Sequence, residues 1–141
     1  MNNQKPTVSA ETIVNAPIEK VWKFWTDPQH MRNWNNMSDD WHTPQAENDL
    51  RIGGKLSLRM ETKDGSTGFD YMGIYDDIST NEKINYTTSD NRKVEVSFTK
   101  TEKGIKLTET FEIEKEDLPE FHQSFCQSIL NSFKAYAESQ N

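Results

Sequence analysis

Only one cysteine, Cys126, occurs in the 141 residues. No intrachain disulfide can form, and a zinc site built from several cysteines is excluded. Positive charge is the scarcer sign: Lys and Arg number 16 against 23 Asp and Glu, a net charge of −7. A general nucleic-acid binder needs a basic patch to displace counterions, so this balance argues against one. Solubility is the ordinary meaning of such a surplus. No apolar run approaches the roughly 20 residues of a membrane span. Met1-Asn2-Asn3-Gln4-Lys5 lacks the apolar stretch of a secretory signal, and the cytoplasm is the expected compartment. No set of His, Cys, Asp and Glu has recognisable metal spacing, and no cofactor is implied. Gly65-Ser66-Thr67-Gly68 lacks both the strand-to-helix setting and the Lys of a phosphate loop.

What is present suits one domain over residues 7–139, behind a polar, disordered tail at 1–6. Aromatic rings are well represented, and each buries much surface. Thr7 to Val14 alternates in polarity and predicts a strand. Pro17 opens a short amphipathic helix carrying Val21, Trp22, Phe24 and Trp25, and Asp27-Pro28 stops it and caps a second short helix to about Asn33. Trp34 to Thr43 reads as a loop leading into a strand at about 41–47. Asp49 to Gly54 is a bend, since paired glycines reach backbone angles closed to other residues. Strands then follow near 55–60, 69–79, 84–88, 94–98 and 105–113, separated by turn signals such as Lys63-Asp64-Gly65-Ser66.

The last segment changes period. Asp117 is the expected N-cap, with Pro119 in the first turn and Glu120 three positions on. Leu118, His122, Phe125, Ile129, Phe133 and Tyr136 then recur every three or four residues, one apolar stripe on a helix of about six turns. The fold class is α+β: a curved antiparallel sheet of six to seven strands, with the long C-terminal helix covering its concave face.

Several stretches together resemble a known family. Ile13-x-Asn15-Ala16-Pro17-Ile18-Glu19-Lys20-Val21-Trp22, Trp25-Thr26-Asp27-Pro28 and Trp34 are similar to the opening of bacterial homologues of the activator of the heat-shock protein ninety ATPase. Asp49-Leu50-Arg51-Ile52-Gly53-Gly54, Gly73-x-Tyr75-x-Asp77-Ile78 with Ile84-x-Tyr86-Thr87, and Ser128-Ile129-Leu130 with Phe133 and Tyr136 resemble its later motifs. The resemblance covers essentially the whole chain. It implies the helix-grip fold of the START-like (SRPBCC) superfamily, with a cavity between sheet and long helix. That superfamily spans lipid carriers, hormone receptors, polyketide cyclases and co-chaperones, so activity must be argued from the site. Where relatives commonly carry a Gly-Trp pair near the start of the last helix, this chain has Ser124-Phe125. A side chain larger than Gly there is expected to narrow the cavity.

Each candidate site residue has a plainer reading beside it. Trp22 and Trp25 fit core packing in an amphipathic helix. Trp34 and Trp41 fall in the irregular stretch beside the expected cavity mouth, where an indole can stack on a ligand and donate its N–H. His42 and His122 are the acid-base candidates, since histidine exchanges a proton near neutral pH. A lone histidine on an apolar stripe is more often a hydrogen-bonded core residue, and His30 is read as surface. Cys126 has no positive neighbour in sequence to lower its pKa and reads as a small buried hydrophobe. Asp49 and Arg51 read as fixing the bend. Tyr71, Tyr75 and Tyr86 can offer hydroxyls to a ligand and are equally ordinary strand residues.

The reading these features favour is a non-enzymatic binder of a small, largely apolar molecule. Its expected ligand-binding residues are Trp34, Trp41, His42, Met60, Met72, Tyr75, His122, Phe125 and Ile129, with no catalytic or metal residue assigned. The second reading is a cyclase- or hydrolase-type enzyme using His42 or His122. The third is a co-chaperone of a heat-shock chaperone; it rests on the family name alone, and one short domain disfavours that partner. Monomer and homodimer both stay open.

Overall fold

The computed structural model describes residues 5–36 and 38–140. Seven strands form one antiparallel sheet: β1 (Thr7–Val14), β2 (Trp41–Asn48), β3 (Lys55–Thr62), β4 (Gly68–Ser79), β5 (Lys83–Thr88), β6 (Lys93–Thr101) and β7 (Gly104–Glu112). Their order is β1-β7-β6-β5-β4-β3-β2, so β2 to β7 form a simple meander and β1 crosses to its far side. Helices α1 (Ile18–Thr26) and α2 (Pro28–Trp34) make that crossing, and α3 (Pro119–Ser139) follows the sheet. This curled sheet gripping one long helix is the START-like helix-grip fold.

Alternation along the strands builds the concave face. Leu56, Leu58 and Met60 of β3, Ile84 and Tyr86 of β5, Val94, Val96 and Phe98 of β6, and Ile105 and Leu107 of β7 are all buried. Opposite them α3, about 31 Å long at its 21 residues, presents Cys126, Ile129, Leu130, Phe133 and Ala137. Phe133 and Leu130 are fully buried.

Strand β1 lies at the sheet's edge, where unpaired backbone groups invite pairing with another chain. Here α3 covers them. Gln127 Nε2 donates to the Glu11 carbonyl at 3.0 Å, Lys134 Nζ donates to the Ile13 carbonyl at 2.5 Å, and Asn15 N–H donates to Glu138 Oε2 at 2.9 Å. The opposite edge, β2, carries Pro44 and a bulge between His42 and Gln45, features that suit an edge strand.

The turns follow the residues. Asp27 closes α1 and caps α2, its carboxylate accepting the Gln29 N–H at 3.0 Å. Gly53 has φ +82°, and a Cβ on Gly54 would sit 2.0 Å from the Asp49 carbonyl, so this bend requires both glycines. It is pinned to β4 by bonds from Gly53 N–H to the Tyr75 carbonyl and from Tyr75 N–H to the Gly54 carbonyl. Asp49 and Arg51 form an exposed ion pair at 2.8 Å within it.

Three local expectations change. Leu118, not Asp117, is the N-cap of α3, and no side chain caps that end. The Asp117 carboxylate instead accepts the Glu114 N–H at 2.8 Å, closing the turn before the helix. Trp34 is the last residue of α2 and no part of a loop. His30 is half-buried, its Nδ1 2.6 Å from the Tyr136 hydroxyl and its ring 4.8 Å from that of Phe24. Of the expected tail, residues 1–4 lie outside the described residues. Lys5 pairs with Glu114 at 3.2 Å, and the Pro6 carbonyl accepts the Ile113 N–H.

Candidate functional site

Between α3 and the concave sheet lies a cavity of about 530 Å³. Helix α3 packs directly against β1, and the hollow opens between α3 and the strands from β3 to β7. Its inner end is aromatic. Trp25 and Trp34 stack with centroids 4.6 Å apart, and Phe133 meets both edge-on at 5.0 Å. Trp34 Nε1 donates to the Phe24 carbonyl at 2.7 Å, so this indole has no N–H left to offer a ligand. Leu56, Leu58, Met60, Ile84 and Val94 make the sheet wall, and Phe125 and Ile129 the helix wall. The exposed members of the lining gather at the other end, where Phe69, Asp70, Ser89, Asp90 and Phe121 mark the mouth.

Polar groups interrupt this wall in two places. At the mouth, Arg92 Nη1 lies 3.2 Å and His122 Nε2 3.5 Å from Asp117 Oδ2, and Arg92 Nε is 3.0 Å from Asp90 Oδ2. Deeper, Glu109 of β7 meets Cys126 of α3, whose thiol donates to Glu109 Oε1 at 2.7 Å. The Tyr71 and Tyr86 hydroxyls bond to each other at 2.8 Å. Burial pushes the Glu109 carboxyl above its ordinary value, against a smaller opposing effect of the Cys126 hydrogen bond. Burial likewise raises Tyr71, Tyr86 and Cys126, and the Glu109 charge adds to each rise. This surrounding disfavours the Cys126 thiolate, the form a nucleophile requires.

Of the residues singled out from sequence, Trp34, Met60, Met72, Tyr75, His122, Phe125 and Ile129 lie along this cavity. Trp41 and His42 do not. Trp41 packs behind Phe69, ring centroids 5.9 Å apart, and His42 pairs with Glu61 at 3.5 Å with its side chain 40% exposed. The bulge after His42 turns this end of β2 away from the hollow. Tyr75 reaches the cavity with its hydroxyl donating to Asn48 Oδ1 at 2.5 Å. Ser124 is exposed and absent from the lining, so the departure from Gly at that position does not narrow the cavity. Trp25, expected as core, is both core and cavity wall.

Sequence reasoning passed over Glu109. The signal was present: Ile105, Leu107 and Phe111 alternate on β7, and Glu109 holds the same parity, which turns it inward. Arg92 was missed for another reason, since a residue in a turn has no periodicity to read. Among the described residues no group of three His, Cys, Asp or Glu is disposed to hold a metal ion. No helix among them is long and apolar enough to cross a membrane.

Comparison with known proteins places these features in a family. Residues 15–138 match the family model for Activator of Hsp90 ATPase homolog 1-like protein. No curated protein matches the sequence. The solution structure of an AHSA1-like protein from Aeromonas hydrophila is 36% identical with a TM-score of 0.90, covering 96% of this chain and 94% of that one. A solution structure from Cytophaga hutchinsonii is 45% identical with a TM-score of 0.81, covering 95% and 93%. A crystal structure from Chromobacterium violaceum, 21% identical with a TM-score of 0.82 over 94% and 96%, shares the fold. With its sheet, its long helix and almost its full length matched, this chain belongs to the Activator of Hsp90 ATPase homolog 1-like family.

Proposed function

We propose that residues 7–139 act as one START-like domain that binds a small, largely apolar molecule between the sheet and α3 without converting it. The cavity carries this reading. Its volume of about 530 Å³ falls within the roughly 300–1,000 Å³ typical of small-molecule sites. Its walls have the expected make-up too, mostly aliphatic and aromatic with a few polar groups. A hollow of this size between well-packed layers costs dispersion contacts that a bound molecule restores. The fold belongs to a superfamily of ligand-binding domains. Native mass spectrometry of gently purified protein, with a lipophile screen read by thermal shift, tests the proposal. An added mass released on denaturation, or a rise in Tm with one compound class, supports it; neither, across a broad set of lipophiles, removes it.

The enzymatic alternative keeps one residue. His122 stands at the mouth beside Asp117, whereas His42 lies outside the lining. Arg92 shares that carboxylate, which makes Asp117 a structural hub more than an orienter of one imidazole. The chaperone reading rests on the family's name; the ATPase rate of the chaperone with and without this protein tests it.

A further inference from the structure

The polar groups of the cavity can be matched one by one, and the remainder points to a ligand chemistry. Asn35 donates to Thr43 Oγ1, Tyr75 to Asn48 Oδ1, and Thr88 to Asp90 Oδ1. Glu112 Oε1 accepts the Lys93 N–H. Each of these members of the lining has at least one partner within the protein. At the mouth, Arg92 Nε is buried without a hydrogen bond although it lies beside Asp90. Deeper in the cavity, two adjoining positions stay open. Glu109 has two carboxyl oxygens, and the Cys126 thiol occupies only Oε1. Among the described residues no donor reaches Oε2 within hydrogen-bonding distance. Tyr71 and Tyr86 share one hydrogen bond but own two hydroxyl hydrogens, so one of those hydrogens has no protein acceptor. Tyr86 is only 6% exposed. A donor and an acceptor left open toward a mostly apolar cavity are groups that a bound molecule can satisfy, which makes this pair of vacancies informative.

The vacancies lie on one patch. Glu109 pairs across the ladder with Val96, and Tyr86 pairs with Val94, so both side chains rise from the same concave face two residues and two strands apart. Tyr71, one strand beyond, leans its hydroxyl onto that of Tyr86. Gly73 lets the Tyr86 ring lie flat there, since a Cβ at that position would meet the ring at 2.7 Å.

We propose that the bound molecule is a neutral amphiphile whose single hydroxyl docks between Glu109 and the Tyr71–Tyr86 pair, with its apolar body running toward Trp25 and Trp34. This rests on the cavity-binding reading above and names its ligand class. A hydroxyl both gives and takes a hydrogen bond. It therefore fits Glu109 whether that carboxyl is ionised or protonated, and it accepts the spare tyrosine hydrogen at the same time. A carboxylate head would face Glu109, while Arg92 is already held by Asp90 and Asp117 at the mouth. An ammonium head has donors only and leaves the tyrosine hydrogen unmatched.

The test is a head-group series on one chain length: 1-octanol, octane, octylamine and octanoate. Binding to the intact protein is followed by the fluorescence of the cavity tryptophans and by calorimetry. We expect 1-octanol to bind about tenfold tighter than octane and tighter than either charged analogue, the size of effect set by satisfying buried polar groups. In Glu109→Leu the preference for octanol over octane should fall to within about twofold, as should that in the double variant Tyr71→Phe with Tyr86→Phe. The series on the unaltered protein decides the matter even if a variant folds poorly. Octylamine or octanoate binding tightest overturns the proposal, as does equal binding of all four, which leaves the apolar cavity reading intact. Octanol preference that survives both substitutions overturns it too. Binding of none of the four defeats the cavity reading and this inference together.

Discussion

Gly73 offers a sharp test of how closely the sheet and the Tyr86 ring are fitted. A Cβ built there meets Tyr86 Cδ2 at 2.7 Å, with Tyr86 Cε2 and the Thr87 carbonyl both at 3.3 Å. Cδ2 is near the root of the ring, and the ring is fixed by its bond to Tyr71, so it cannot simply swing aside. Gly73 does not have the positive φ seen at Gly53, Gly65 and Gly104, so alanine incurs no backbone strain there. In Gly73→Ala two effects compete. Overpacking costs about 1–3 kcal/mol, and replacing glycine within a strand returns about 0.5–1 kcal/mol. The net runs from near zero to a loss of about 2.5 kcal/mol, or up to about 10 °C in Tm for a chain of this size. Urea denaturation measures it directly. The same substitution made in a Tyr86→Ala background should become neutral or stabilising, because the ring it strikes is gone. A Gly73→Ala variant more stable than its parent refutes the reasoning, and an equal effect in both backgrounds shows that the ring is not the obstacle.

The remaining predictions follow from the same structure. Because burial raises the Glu109 carboxyl above its ordinary value of 4.5, the folded state holds that proton to higher pH than the unfolded chain does. Stability is then lost as pH rises from the unfolded value through the folded one, so Glu109→Gln should gain on the parent as pH rises above the ordinary carboxylate range. Urea midpoints for both proteins across this pH range give the difference; a flat difference removes the argument. Phe133→Ala should cost about 3–5 kcal/mol, since the ring is fully buried and meets two indoles edge-on. Its near-ultraviolet circular dichroism should change with it, as the Trp25–Trp34 stack loses its support. Asp27→Ala, removing the α2 cap, should cost about 1 kcal/mol, whereas Glu120→Ala should change stability little, because Asp117 does not cap α3. Comparable losses from the two would contradict the capping geometry.

Much of the architecture was legible because local periodicity and global packing agree. Leu56, Leu58 and Met60, or Val94, Val96 and Phe98, declare a strand with one buried face, and the shift to a spacing of three and four after Leu118 declares the helix. The site was less legible, for physical reasons that differ by residue. Glu109 sits where parity puts a core side chain, but charge hides it from a search for apolar alternation. Trp41 and His42 lie near the cavity in sequence, yet the bulge beside Pro44 turns that end of β2 away. His30 looks like a surface residue of a short helix until Tyr136, 106 positions later, arrives to bond it. Asp117 and Glu120 have capping-box spacing, but the carboxylate is drawn to the Glu114 N–H, Arg92 and His122 instead. Local pattern records what a residue prefers, whereas distant partners decide which preference is met.

The placement of β1 has a consequence for the chain as it leaves the ribosome. Every other neighbouring pair in the sheet is consecutive in sequence, but Thr7 must find Glu112 and Val14 must find Ile105. The first strand to emerge is thus the last to be matched, and its other edge waits longer still, for Gln127, Lys134 and Glu138 of α3. During synthesis the nascent chain can zip β2 to β6 hairpin by hairpin while β1 trails with both edges bare, a template for any neighbouring chain. The edge is closed only once β7 has paired with β1 and α3 has bonded to its outer side. The interval of exposure ends only when residues 104–139 are free to fold, which makes the C-terminal quarter of the chain the guardian of its N-terminus.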